Sequence, residues 1–387
     1  MIAAGPRVGV AVLTLLAAAG ASAAREPRIA ASLVQIGIVH KSAGLVLRAH
    51  GRFTIVDQET GETHALSEGR DYPVQVVPGA LRLGPFSFNG QARLAPRSVG
   101  SYVELGGSFY HGSLLVRPNP DQTVTVVQET GIEDYLYGVL PKEMSPEWPT
   151  EALKAQAVVA RTFALANLGK FQRSGFDFTP DVRSQAYVGL DGRDPRATAA
   201  VKATEAQALY YRGKLLKAFF HACCGGHTSS VAAIWGSPDK MEEPMRGVRD
   251  GYCAASPHMS WTAYAAFSDI LAALNSHDRY ASKLKGIGRG RTDPSGHLRT
   301  IKFYTDSGTI EVRANEFRNW IGSTDLKSTN ITSIVRRRKG YEFAGKGYGH
   351  GVGLCQWGAR EMAAQGKSYR QILDHYFPGA EIRRVED

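Results

Sequence analysis

The sequence has no internal repeat of fixed period, no long low-complexity linker and, past its first two dozen residues, no apolar run long enough to cross a bilayer. The first absence excludes a solenoid or propeller array. The second excludes modules strung on disordered spacers, and the third a chain that crosses a membrane repeatedly. Cysteine is scarce, with four residues in 387: Cys223, Cys224, Cys253 and Cys355. Acidic residues are outnumbered by basic ones, 36 to 46, which gives a formal charge of +10. A basic balance suits a polyanion such as nucleic acid, anionic lipid or an anionic cell-wall polymer. The length allows two or three domains and a sizeable core.

The one long apolar run lies at the start. Arg7 precedes "VGVAVLTLLAAAGASA", which ends in small residues, and Ala21-Ser22-Ala23 fits a small-x-small cleavage site. Residues 1–24 therefore read as a secretory signal peptide; the alternative is an uncleaved anchor. The mature chain is expected outside the cytoplasm, in the periplasm or cell envelope, with no membrane span once the leader is gone. An exported protein rarely meets nucleic acid, so the wall or the membrane surface is the expected partner.

The fold class reads as α+β. Residues 28–128 form a β-rich N-terminal module. "LVQIGIVH", "LVLRAHGRFTIVD" and "TVTVVQET" are short runs of β-branched and aromatic residues broken by turn clusters. Residues 129–387 form a mixed α/β core with a Gly-rich loop and helix near the C-terminus, and 262–340 contains a β-hairpin insertion. In the core, Thr150 is placed to cap a helix, "DPRATAAVKATEAQAL" reads as a second helix, and "YYRGKLLKAFFHA" as a strand. "GHLRTIKFYTDSGTIEVRANEF" reads as a hairpin turning at Asp306-Ser307-Gly308.

Export permits disulfides, and four cysteines allow three fully paired connectivities. Adjacent Cys223 and Cys224 rarely bond each other. A Cys224–Cys253 bond closes a loop of about 30 residues and is worth roughly 3–4 kcal/mol in the chain-entropy model. The rival is zinc, since His221, Cys224, His227 and Cys253 are all acceptable ligands. The disulfide is the preferred reading, and no cofactor is called for. A Cys–His nucleophile built on Cys224 or Cys355 is the third and weakest option, because a catalytic thiol suits an oxidising compartment badly.

In "GKGYGHGVG" the alternating glycines allow close approach of backbone or ligand, and His350 is a candidate acid, base or positioning group, or a packed structural histidine. Glu143 is the sharpest candidate. It sits among Val139, Leu140, Pro141, Met144 and Trp148, in what reads as an apolar loop. Such neighbours raise a carboxyl pKa, and a protonated carboxylic acid can deliver a proton to a glycosidic oxygen. The alternative is an ion pair with Lys142, Lys154 or Arg161. Glu133 and Asp134 are the nearest acidic rivals and read as the start of a helix.

Taken in order, "IEDYLYGVLPKEMSPEWPTEALKAQAVVARTFAL", "SQAYVGL", "AFFHACCGGHT", "MRGVRDGYCAASPHMSW" and "GKGYGHGVGLCQWGAREMAAQGKSYRQILDHYFPG" resemble the stage II sporulation protein D / LytB (amidase enhancer) family. The resemblance implies work on peptidoglycan. Sporulation members are lytic transglycosylases, lyases that cut peptide-stripped glycan strands and leave 1,6-anhydro-MurNAc ends. The family's catalytic glutamate falls on Glu143. Lys154, Gln156, Arg161, Gln185, Tyr187, His350 and Gln356 fall in its motif blocks and are candidates for the groove that holds the glycan. Some members bind zinc through a His and a Cys just before "SQAY". Here that stretch is "GFDFTPDVR", with neither, so that site is expected to be missing. Cys355 stands where a Ser is usual. The LytB branch supports a second reading, a wall-binding enhancer of a partner amidase that does not itself cut glycan; a third is a structural envelope protein.

Overall fold

The computed structural model describes residues 33–181, 183–236 and 243–385. The expected leader and residues 28–32 lie outside them. The fold is α+β with a β-rich N-terminal region. There, two six-stranded antiparallel sheets face each other. One runs, in spatial order, Leu33–Ser42, Val124–Gly131, Ser113–Pro118, Ala92–Pro96, Phe53–Asp57 and Thr63–Leu66. The other runs Ser108–Tyr110, Tyr102–Leu105, Leu45–His50, Asp71–Val77, Ala80–Leu83 and Phe86–Phe88. Inward residues alternate along the strands: Phe53, Ile55, Leu94 and Val116 from one sheet meet Leu47, Val74, Leu81 and Val103 from the other.

Two strands fasten this sandwich to the rest of the chain. Leu33–Ser42 sends Val34 and Ile36 into the second core, and Val124–Gly131 is buried along nearly its whole length. That second core gathers helices α1 (Ile132–Glu143), α2 (Thr150–Ala166) and α3 (Pro195–Ala203). A short helix α4 (Val231–Trp235) follows. A three-stranded sheet of Lys214–Leu215, Gln207–Tyr211 and Glu381–Arg384 covers one side. Helix α2 is its axis, since from Ala152 to Leu165 only Lys154 is not buried.

A third cluster lies in the stretch from Trp261 to Gly345. Sheets of Trp261–Ala266, Gly340–Gly345 and Ile331–Arg336, and of Leu284–Arg289, Thr300–Thr305 and Gly308–Arg313, enclose it with helices α5 (Phe267–Asn275) and α6 (Ala314–Ile321). Its centre is Ile301, Phe303, Phe317 and Phe343. The chain then returns to the second core for α7 (Gln356–Ala364) and α8 (Tyr369–Tyr376). A capping box of Ser368 and Gln371 starts α8.

Three local expectations are corrected. Pro149, not Thr150, occupies the cap position of α2, and no side chain caps that helix. Helix α3 stops at Ala203, and Ala206 turns at φ +60° into the strand Gln207–Tyr211. The run "YYRGKLLKAFFHA" is not one strand but a tight hairpin followed by a two-residue bridge, Phe220–His221, parallel to Leu354–Cys355.

Candidate functional site

Glu143 is not in a loop: it is the last residue of α1, with Pro141 in the final turn. A proline so close to a helix end breaks the hydrogen-bond ladder where the ladder is about to stop. The Met144 N–H then closes on the Leu140 carbonyl at 3.0 Å. The half-buried side chain is held from two directions. Its Oε1 accepts the Ala186 N–H at 2.8 Å, and its backbone carbonyl accepts from Gln356 Nε2 at 2.9 Å. Oε2 has no hydrogen bond to any described residue. Burial raises the Glu143 pKa, and the Ala186 N–H offsets only part of that rise. No cation pairs with it among the described residues.

A buried acid whose pKa is raised in the folded state binds its proton more tightly there than in the unfolded chain. Its contribution to stability is therefore fully present below the unfolded pKa and lost as pH rises through the folded one. Chemical denaturation across that range should show a pH slope that Glu143→Gln removes; an unchanged slope would place the titration elsewhere.

The segment that donates to Glu143 is clamped from inside. Gln185 accepts from Tyr135 Oη at 3.3 Å and donates to the Ala160 carbonyl at 3.3 Å, and Tyr187 Oη donates to Gln128 at 2.9 Å. Gly189 completes the clamp at φ +63°, where an added Cβ would run into the Phe109 carbonyl oxygen. Gly189→Val should cost about 1–3 kcal/mol for the backbone conformation alone, before the steric clash. Equilibrium unfolding measures it, and a neutral result would mean that the turn can reopen without loss.

The glycine-rich segment solves a packing problem. Gly347, Gly349, Gly351 and Gly353 all have positive φ. A Cβ on Gly347 would meet the Cys223 carbonyl oxygen at 2.7 Å, one on Gly349 the His221 side chain at 2.7 Å, and one on Gly351 His297 at 2.6 Å. The glycines thus admit neighbouring segments of the same chain. His350 does not stand free: its ring lies against Trp235, His221 and Phe219, with centroids 5.1, 5.6 and 6.0 Å away. Burial holds it neutral, helped by His221 and Arg318, and its Nδ1 accepts the Val352 N–H at 3.0 Å. Burial likewise pushes His221 down to about 3 and His297 to about 4.

The candidate groove residues separate into two groups. Gln356 reaches Glu143, Gln185 and Tyr187 flank its donor, and Lys154 is half-buried on α2, bonded to Glu151 at 2.7 Å. Arg161 and Gln156 are fully buried, so neither can touch a polymer in solution in this conformation. Arg161 bonds both Glu133 oxygens, at 2.7 and 2.6 Å, and the Gln207 carbonyl at 3.0 Å. It joins α1, α2 and the Gln207–Tyr211 strand. Gln185 and Tyr187 are also interior and act through Ala186.

Two features were not anticipated. Trp148 and Trp357 meet edge to face at 5.1 Å, with the Arg360 guanidinium 5.8 and 5.1 Å from the two ring centroids. Trp357 directly follows Gln356, so this half-exposed aromatic pair lies beside the Glu143 backbone. The "EW" and "QW" steps were its only trace in the sequence. The second feature concerns the cysteines, all four of which are buried thiols. Cys224 and Cys253 are adjacent but unbonded, their sulfurs 3.5 Å apart. Neither His221 nor His227 joins them; each ring faces a backbone carbonyl, of Val352 and Thr228 respectively. Buried Cys224 and Cys355 also offer no accessible nucleophile.

Comparison with known proteins places this architecture. The family described as Stage II sporulation protein matches residues 120–211, the stretch holding α1, α2 and the "SQAY" segment. A domain of unknown function (DUF8618) matches residues 256–353, the stretch of the third cluster and the glycine-rich segment. An uncharacterized protein of Brachyspira hyodysenteriae is 37% identical over 279 residues, covering 72% of this chain and 73% of that protein. The amidase enhancer of Bacillus subtilis is 27% identical over 374 residues, covering 84% of this chain but 52% of the enhancer. Stage II sporulation protein D of Bacillus amyloliquefaciens is 29% identical over 277 residues, 67% of this chain and 76% of that protein. The chain belongs to the stage II sporulation protein D / amidase enhancer family.

Proposed function

We propose that the chain is an exported, peptidoglycan-remodelling lytic transglycosylase with Glu143 as its single acid and base. The observation that carries this reading is the state of Glu143: one carboxyl group, desolvated, unpaired, oriented by a backbone N–H and with Oε2 left free. A hydrolase needs a second carboxylate for water or for a covalent intermediate. A transglycosylase does not. Glu143 gives its proton to the leaving glycosidic oxygen as the C1–O bond breaks. The sugar's own C6 hydroxyl then attacks C1, its proton passes back to the Glu143 carboxylate, and a 1,6-anhydro ring closes. The Trp148–Trp357 pair offers a face for a sugar ring, and Arg360 and the net charge of +10 suit an anionic polymer.

The rival reading, drawn from the name of the Bacillus subtilis relative, is an enhancer that binds wall and stimulates an amidase. Incubating the protein alone with peptide-free glycan strands, and together with a cell-wall amidase on intact peptidoglycan, separates the two. The transglycosylase releases soluble fragments alone. An enhancer releases none alone and speeds the amidase on intact peptidoglycan. Because the acid must begin protonated and its pKa is raised, kcat/KM should hold at low pH and fall as pH rises through the Glu143 pKa. A profile rising over that range would make Glu143 a base only.

A further inference from the structure

The geometry points to a buried tetrahedral site for a divalent metal of the zinc class, formed by Cys224, Asp250, Cys253 and Cys355. The ligand atoms of these four residues all lie within 4.8 Å of one another, and all four residues are buried. The Cys224 and Cys253 sulfurs are 3.5 Å apart, and Cys224 Sγ is 3.2 Å from Asp250 Oδ2. Zinc bound at about 2.3 Å to sulfur and about 2.0 Å to oxygen sets tetrahedral edges of roughly 3.5–3.8 Å. A metal would lengthen these two short edges by about 0.3 Å and draw in the longest separations of the cluster, which stay within 4.8 Å, by up to about 1 Å.

Three further observations favour a cation over a disulfide. Asp250 is 1% exposed, and no described basic residue pairs with it; its partners are the Tyr252 N–H at 2.9 Å, Tyr376 Oη at 3.0 Å and the Cys224 thiol. A disulfide among the cysteines leaves that carboxylate buried without a counter-charge, whereas a metal supplies one. Backbone N–H groups already point at the sulfurs: Cys224 N lies 3.3 Å from Cys355 Sγ, and Gly226 N lies 3.4 Å from Cys224 Sγ. Such donors stabilise thiolates. Finally, Asp250 is oriented by two donors, the Tyr252 N–H on Oδ1 and Tyr376 Oη on Oδ2, the kind of outer support that metal-bound carboxylates have. Room for the Tyr376 contact depends on Gly358 of α7, where a Cβ would collide with Tyr376 Oη.

The four ligands come from three separate segments: the turn after Phe220–His221, the loop at 250–253, and the residue before α7. A metal here joins the second core from within and fixes Cys355, next to the Gln356 that holds the Glu143 carbonyl. Cys223 is not one of the four; its backbone pairs with Tyr348, and its thiol lies against the Cys253 and Cys355 sulfurs at the edge of the cluster.

The test uses the full chain, purified without chelator or reductant, and does not depend on activity. Elemental analysis should find about one zinc per chain, and the intact mass under non-reducing conditions should match four thiols. After metal removal, cobalt(II) should give thiolate-to-metal charge-transfer bands. Cys253→Ser and Cys355→Ser should lose both the zinc and the bands, while Cys223→Ser should keep them. Should the two serine variants fail to fold, the wild-type zinc content and cobalt spectrum still decide. A metal-free protein that takes up neither ion, or a mass short by two hydrogens with two thiols blocked, would overturn the assignment.

Discussion

Glu143→Gln is expected to retain the fold and to lower glycan cleavage at least about a hundredfold, the scale of losing a general acid. The substitution is nearly isosteric. A glutamine Oε1 can still accept the Ala186 N–H, and the backbone bond from Gln356 is untouched. What is lost is the titratable proton. Burial makes that proton available nearer neutral pH than an exposed glutamate would, because desolvation raises the pKa and no described cation lowers it. Glycan binding should persist, since Trp148, Trp357 and Arg360 remain. Activity undiminished in this variant would remove Glu143 from the reaction.

The largest expected effect on stability lies at a pair of residues that makes no contact with solvent-borne substrate. Arg161 is fully buried, and among the described residues Glu133 supplies its only counter-charge, with both carboxyl oxygens at 2.7 Å or less. Removing one partner leaves a buried charge uncompensated, which costs about 3–5 kcal/mol. Glu133→Gln should fall near the lower end, because a little of that carboxylate is exposed. The double variant Glu133→Leu with Arg161→Met should lose less than Arg161 retained beside a neutral residue 133, since the buried charge disappears with its partner. Denaturant unfolding of the three proteins measures this. A single substitution costing under about 0.5 kcal/mol would mean that the pair behaves as a surface ion pair.

Much of this architecture can be read from residue patterns. The β-rich N-terminal region shows in its alternating apolar runs, because each strand there has one face on the sandwich core and one outside. The hairpin at Asp306-Ser307 is equally plain, as its turn is local. The acid rivals at Glu133 and Asp134 do open a helix, but the helix carries on through Pro141 to Glu143. Proline ordinarily ends a helical reading early, and only the packing of α1 against α2 and the "SQAY" segment carries the last turn past it. What sequence patterns could not give is partnership at a distance. Arg161 finds Glu133 rather than Glu143, 28 residues back along the chain. Asp250 joins the cysteines, His221 and His227 turn to backbone carbonyls, and the glycine-rich segment packs its backbone against the Phe219–Cys223 stretch. The glycine spacing signalled a close approach; it did not say that the approaching surface was the protein itself.

The most direct test of a single-carboxylate transglycosylase is the chemistry of the new chain ends. Peptide-free glycan strands digested with the purified protein and analysed by mass spectrometry should carry 1,6-anhydro-MurNAc termini, about 18 Da lighter than hydrolysed ends, because no water enters a transfer to the C6 hydroxyl, unlike the two-carboxylate hydrolases. Reducing ends at the hydrolysed mass would contradict it and require a second carboxylate; so would intact strands after exhaustive incubation with folded, active-concentration protein.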